Sequence, residues 1–177
     1  MKIENIFYRI RQFWLAASAP TPTTEQLALA QEVLNPSQMV LFTHMQAGEQ
    51  IHSLRVLRTL QAQEEIHPDL LVAALLHDVG KIRCPLRLWE RFFIVLGLKF
   101  IPRLAKTWGN SIPRGWRRPF VVAEQHPLWG ADLALKAGTT PLAASLIRRH
   151  QEIHPVNDPN TLEDRLLSAL KSADNQQ

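Results

Sequence analysis

Pro68-Asp69-Leu70-Leu71-Val72-Ala73-Ala74-Leu75-Leu76-His77-Asp78-Val79-Gly80-Lys81 is the stretch on which the fold turns. A proline suited to the first helical position opens it and a glycine closes it, so a helix is expected over about 68–78. Leu71, Ala74 and Leu75 lie seven, four and three residues before Asp78, and side chains so spaced share one helix face. The stripe that should enter the core therefore ends in a carboxylate, with His77 beside it.

The same anomaly recurs along the chain. His150 follows Ala143, Leu146 and Ile147 at seven, four and three residues. Asp174 follows Leu167 and Leu170 at seven and four, and His52 shares a face with Met45, Gly48 and Val56. An unpaired charge in a core costs several kcal/mol, on the order of a whole domain's margin of stability. One histidine on an apolar face is usually a hydrogen-bonded core residue. Histidines and aspartates gathered from four helices can instead offset that cost together by binding a cation. Imidazole nitrogen with carboxylate oxygen suits Mn, Fe, Ni, Co or Zn, and the lack of thiolates argues against a structural zinc finger. The one cysteine, Cys84, excludes an internal disulfide and fits a reducing compartment.

Periodicity and punctuation predict helices over about 25–34, 37–61, 68–78, 86–101, 120–125, 128–137, 141–152 and 160–174. Asn35-Pro36, Thr140-Pro141 and Asp158-Pro159 read as helix starts. Prolines and glycines from Pro102 to Pro119 mark an irregular stretch. Ile3, Ile6, Phe7, Ile10, Phe13 and Trp14 make the first 17 residues an amphipathic helix. Residues 1–20 are thus expected to form this helix and a linker, and 21–177 one domain; no period-two alternation appears, so the fold is all-α.

The net charge of +4 is uneven. Between Arg83 and Arg118 stand nine Lys or Arg and one acid, Glu90. Residues 83–119 read as a basic, apolar insertion, with Trp89, Phe92, Phe93, Leu96 and Phe100 on one stripe. Two roles fit it: a lid packed over the site, its basic residues drawing in phosphates, or peripheral contact with an anionic membrane. The longest apolar run, Phe92 to Leu98, is too short to span a bilayer, and Glu4, Arg9 and Arg11 interrupt what a secretory signal would need. A cytoplasmic location is expected.

Leu75-Leu76-His77-Asp78-Val79-Gly80-Lys81 resembles the HD-x-G-K signature of the HD-domain metal-dependent phosphohydrolases. Ile51-His52-Ser53-Leu54 is similar to the upstream helix that supplies that family's first histidine. His126-Pro127-x-x-Gly130-Ala131 resembles the His-Pro-x-x-Gly element of the two-metal subgroup. Ile147-Arg148-Arg149-His150-Gln151-Glu152 is similar to its next histidine block, and Ala173-Asp174 to its closing aspartate. The resemblance covers about 37–177; Gln151 and the lack of Gly-Tyr-Pro after His154-Pro155 depart from the cyclic-dinucleotide branch.

That resemblance implies an HD-type helical bundle and one or two divalent metal ions. One metal would take His52, His77, Asp78 and Asp174; a second would take Asp78 as a bridge with His126 and His150. The implied reaction is in-line attack of an activated water on the phosphorus of a nucleotide or other small phosphoester, with Asp78 aiming the water and Lys81 neutralising a phosphate oxygen. Two other functions compete: a catalytically silent regulatory module that keeps the metal, and a protein that acts on membrane or nucleic acid through residues 83–118.

Overall fold

The computed structural model describes residues 21–152 and 161–177, and every regular element among them is helical. In chain order these are α1 (Thr24–Val33), α2 (Pro36–His44), α3 (Ala47–Ala62), α4 (Pro68–Leu76), α5 (Leu88–Phe100), α6 (Pro102–Gly109), α7 (Arg118–Lys136), α8 (Pro141–Arg149) and α9 (Leu162–Asn175). Short 3-10 segments lie at Val79–Arg83 and Gly115–Arg117. The expected helix over residues 1–17 and the Asp158-Pro159 start lie outside the described residues.

Local chemistry sets the starts. Asn35 and Gln38 form a reciprocal capping box before Pro36, their side chains each accepting from the other's backbone N–H at 2.9 Å. His67 caps α4 by accepting from the Asp69 N–H at 3.3 Å, and Thr140 and Thr161 cap α8 and α9. The core forms where α3, α4, α8 and α9 meet. Leu54, Leu57, Leu60, Leu70, Leu75, Leu146, Ile147, Leu167 and Leu170 are buried there. Each such side chain contributes about 1.5–3 kcal/mol by leaving water.

Three expectations are corrected. The helix expected over 37–61 is two helices, with Met45 and Gln46 extended between them. Gln50 Nε2 donates to the Thr43 and Met45 carbonyls at 3.1 and 2.9 Å, and Met45 is buried, so the break is fixed by its own bonds and packing. The helices expected over 120–125 and 128–137 are one, α7, which runs through Pro127. The stretch 102–119 is largely ordered: Pro102 starts α6 from the first-turn position, where its missing N–H costs nothing.

Two glycines bring the 3-10 segment after Asp78 against α7. A Cβ on Gly80 would lie 1.9 Å from the His126 carbonyl oxygen and 2.6 Å from the Gly130 nitrogen. A Cβ on Gly130 would meet the Gly80 nitrogen at 3.1 Å. Gly80 therefore allows two backbones to touch, and it does more than end a helix as its sequence position suggests.

Candidate metal centre

His52 comes from α3, His77 and Asp78 from the end of α4, His126 from α7, His150 from the end of α8 and Asp174 from α9. The structure brings all six together. His52 Nε2 lies 2.8 Å from Asp174 Oδ1 and 3.3 Å from His77 Nε2. His77 Nε2 is 3.7 Å from both Asp174 Oδ1 and Asp78 Oδ2. His126 Nε2 lies 3.2 Å from Asp78 Oδ1, and the His150 ring is centred 5.1 Å from that of His77 and 5.3 Å from that of His126. The donors fall into two groups, His52–His77–Asp174 and Asp78–His126–His150, each with its ligand atoms within 4.8 Å of one another.

The backbone settles which nitrogen of three rings carries the proton. The Nδ1 atoms of His77, His126 and His150 sit 2.9, 2.8 and 2.7 Å from the carbonyls of Ala74, Val122 and Ile147. A carbonyl only accepts, so each Nδ1 is the donor and each Nε2 presents a lone pair inward. Burial pushes the His77 imidazole below its usual pKa, and burial with the neighbouring His77 and His126 pushes His150 down to about 3. Among the described residues, the Nε2 atoms of His126 and His150 are buried without a hydrogen bond, that of His126 standing 3.2 Å from Asp78 Oδ1. Two orphaned lone pairs beside a carboxylate fit a cation and little else. The donor set suits a divalent metal.

The carboxylates are ready for that role. Burial alone would raise Asp78, but the Lys81 ammonium beside it holds it well below the usual carboxylate range. Lys81 Nζ lies 2.6 Å from Asp78 Oδ2, so this ammonium answers the carboxylate and not a helix terminus. Burial opposes ionisation of Asp174 too, and the hydrogen bond from His52 outweighs it. Solvent reaches the centre on one side: the His52 and Asp174 side chains are 29% and 30% exposed, against 1% for His77 and His126.

Other polar residues near the centre have partners of their own. Arg149, next to His150 in sequence, is held by Glu163, Asp164 and Glu152 at 2.6, 2.9 and 3.1 Å. Glu49, three residues before His52, is buried and accepts from Arg91 of α5 at 2.8 Å. Burial raises the Glu49 carboxyl, with Asp78 adding and Lys81 opposing, so it stands in the field of the centre. Glu49, Ser53, Val56 and Leu60 follow one another at four, three and four residues and all are buried, so the acid lies on the inward face of α3. His44 and Cys84 stand apart from both donor groups, and His154 is outside the described residues.

The family model of the HD domain matches residues 50–175. No match was found among curated proteins or among solved structures.

Proposed function

This chain is a member of the HD-domain family, and on that premise we propose that it is a metal-dependent phosphohydrolase acting on a nucleotide or other small phosphoester. The observation that carries the reading is the pair of unpartnered, buried Nε2 atoms of His126 and His150 beside Asp78. His52, His77, Asp78 and Asp174 would hold one divalent ion, and Asp78, His126 and His150 a second. When bound, such ions supply Lewis acidity that offsets phosphoryl charge and makes water a nucleophile near neutral pH.

The protein contributes position and charge. Carbonyl bonds to Nδ1 fix the plane and tautomer of three rings, so their Nε2 atoms need no reorganisation. Asp78 is the one carboxylate that faces both histidine groups, and Lys81 stands beside it with its side chain 18% exposed. A phosphoester entering past His52 and Asp174 would meet that ammonium. A silent module would leave six such side chains with no chemistry to perform.

Metal analysis of the purified protein, followed by phosphomonoester and phosphodiester panels with Mn, Ni or Co added, tests the proposal. We expect bound metal, hydrolysis that a chelator abolishes, and recovery on adding one of the three ions. Bound metal with no hydrolysis across the panel would establish the silent module instead. Protein that takes up no metal at all would end both readings.

A further inference from the structure

Helix α5 presents its aromatic face to solvent and its one acid to the interior. Glu90 is 2% exposed and bonded to Arg118, while Trp89, Phe93 and Phe100 are 49%, 51% and 66% exposed. Phe92 and Leu98 are exposed as well, and on α6 so is Leu104. Of the two readings the sequence offers for this stripe, a lid over the site or a membrane contact, the exposure of Trp89, Phe92, Phe93 and Phe100 favours the second.

The orientation is locked. Glu90 accepts from the Arg87 N–H at 2.7 Å besides pairing with Arg118, which also donates to the Pro85 carbonyl at 2.7 Å. A Cβ on Gly97 would lie 2.3 Å from the Phe120 ring, so only this glycine face can pack there. Arg91 is tied to Glu49 and Gln46 of the α2–α3 corner. Rotating α5 to bury its aromatics would strip Glu90 of its partners and drive a side chain into Phe120.

Charge indicates what covers the face. Of the nine basic residues between Arg83 and Arg118, Arg91 and Arg118 are used in ion pairs; the other seven are exposed, and the segment's single acid is buried. The exposed charges of the segment itself are therefore all cationic, and the exposed acid Glu124 of α7 stands beside Gly109 at the end of α6. A second copy docking by the same face would meet it with like charge. Nucleic acid would use the cations and stack on rings, but it offers nothing to Val95, Leu98 and Leu104, which are exposed beside them. A bilayer surface satisfies both parts, since aromatic and aliphatic side chains settle at the acyl boundary and Lys or Arg at anionic headgroups. None of the described helices is long and apolar enough to cross a membrane, so the contact is with one face of the bilayer.

We propose that the outer face of α5 and α6 docks on an anionic lipid surface, with Trp89, Phe92, Phe93 and Phe100 at the headgroup boundary. This attachment does not depend on the phosphohydrolase reading, and its test needs no activity. The full chain is floated with vesicles rich in phosphatidylserine and with pure phosphatidylcholine vesicles, at about 0.05 M and about 0.5 M salt. It should rise with the anionic vesicles at low salt and fall away at high salt.

The double variant Trp89→Ser/Phe93→Ser should bind at least about tenfold more weakly, because two exposed rings lose their burial in lipid. Lys99→Ala and Arg103→Ala should each cost about fivefold. All three variants should melt as the parent does, since the altered side chains are exposed. A chain that stays at the bottom with anionic vesicles at low salt overturns the proposal. So does a double variant that floats like the parent, and so does binding to a single-stranded oligonucleotide in the absence of vesicle binding.

Discussion

Asp78 is the residue on which both donor groups converge, and its replacement separates function from folding. Asp78→Ala should abolish metal uptake and hydrolysis together, read by metal analysis and by the substrate panel. The melting temperature of the metal-free protein should change little, because the variant removes a buried carboxylate and leaves Lys81 free to turn to solvent. Hydrolysis undiminished in Asp78→Ala would place the reaction elsewhere. At this scale much was legible: a carboxylate or imidazole on an apolar stripe must be compensated, and the stripes around His52, Asp78, His150 and Asp174 point to one place. His126 was found only by resemblance, because Pro127 obscured the helix it sits on. The burial of Glu49 is not legible locally, because a lone helix acid is usually solvated and its partner Arg91 is 42 residues away.

Between elements, the contact of the 3-10 segment Val79–Arg83 with α7 fixes how Asp78 meets His126. Gly80→Ala should cost about 3 kcal/mol, because backbone lies on both sides of the added methyl and neither can yield as a side chain does. For a chain of this length that lowers the melting temperature by about 6–12 °C, measured by thermal unfolding. An unchanged melt would mean the two backbones are not in contact. The anchor of α5 gives a pH signature. Burial alone would raise the Glu90 carboxyl, but Arg118 and the Arg87 N–H hold it below the ordinary range. A depressed folded pKa gives stability that is present above the unfolded value, about 4.3, and lost as pH falls through the folded one. The stability gap between the parent and Glu90→Gln should therefore be constant near neutrality and shrink below about pH 4; a gap independent of pH would show that folding does not shift the Glu90 carboxyl. Sequence patterns gave the helical character of these segments but mistook their punctuation. Pro127 and Pro102 carry the same local signal, yet one lies within a helix and the other begins one, and only the packing around each decides.

For the molecule as a whole, a cation held at this centre would couple binding to stability, because the candidate donors come from five helices that are independent in sequence. Adding Mn or Ni to about a hundred times its dissociation constant should stabilise the fold by about 2.7 kcal/mol and raise the melting temperature by about 5–10 °C, with a chelator reversing it. A melt insensitive to all divalent ions would contradict the metal reading. The all-α class followed from periodicity alone; the outward face of α5 did not, since a stripe does not say which way it turns. The bond from His52 to Asp174 joins residues 122 positions apart. Closing so long a loop costs the unfolded chain about 4 kcal/mol in entropy, so this contact cannot lead folding and must wait until nearer helices have assembled. The six candidate donors are therefore expected to assemble in an order, His52 and His77 on the packed pair α3 and α4 before α9 brings Asp174 to them.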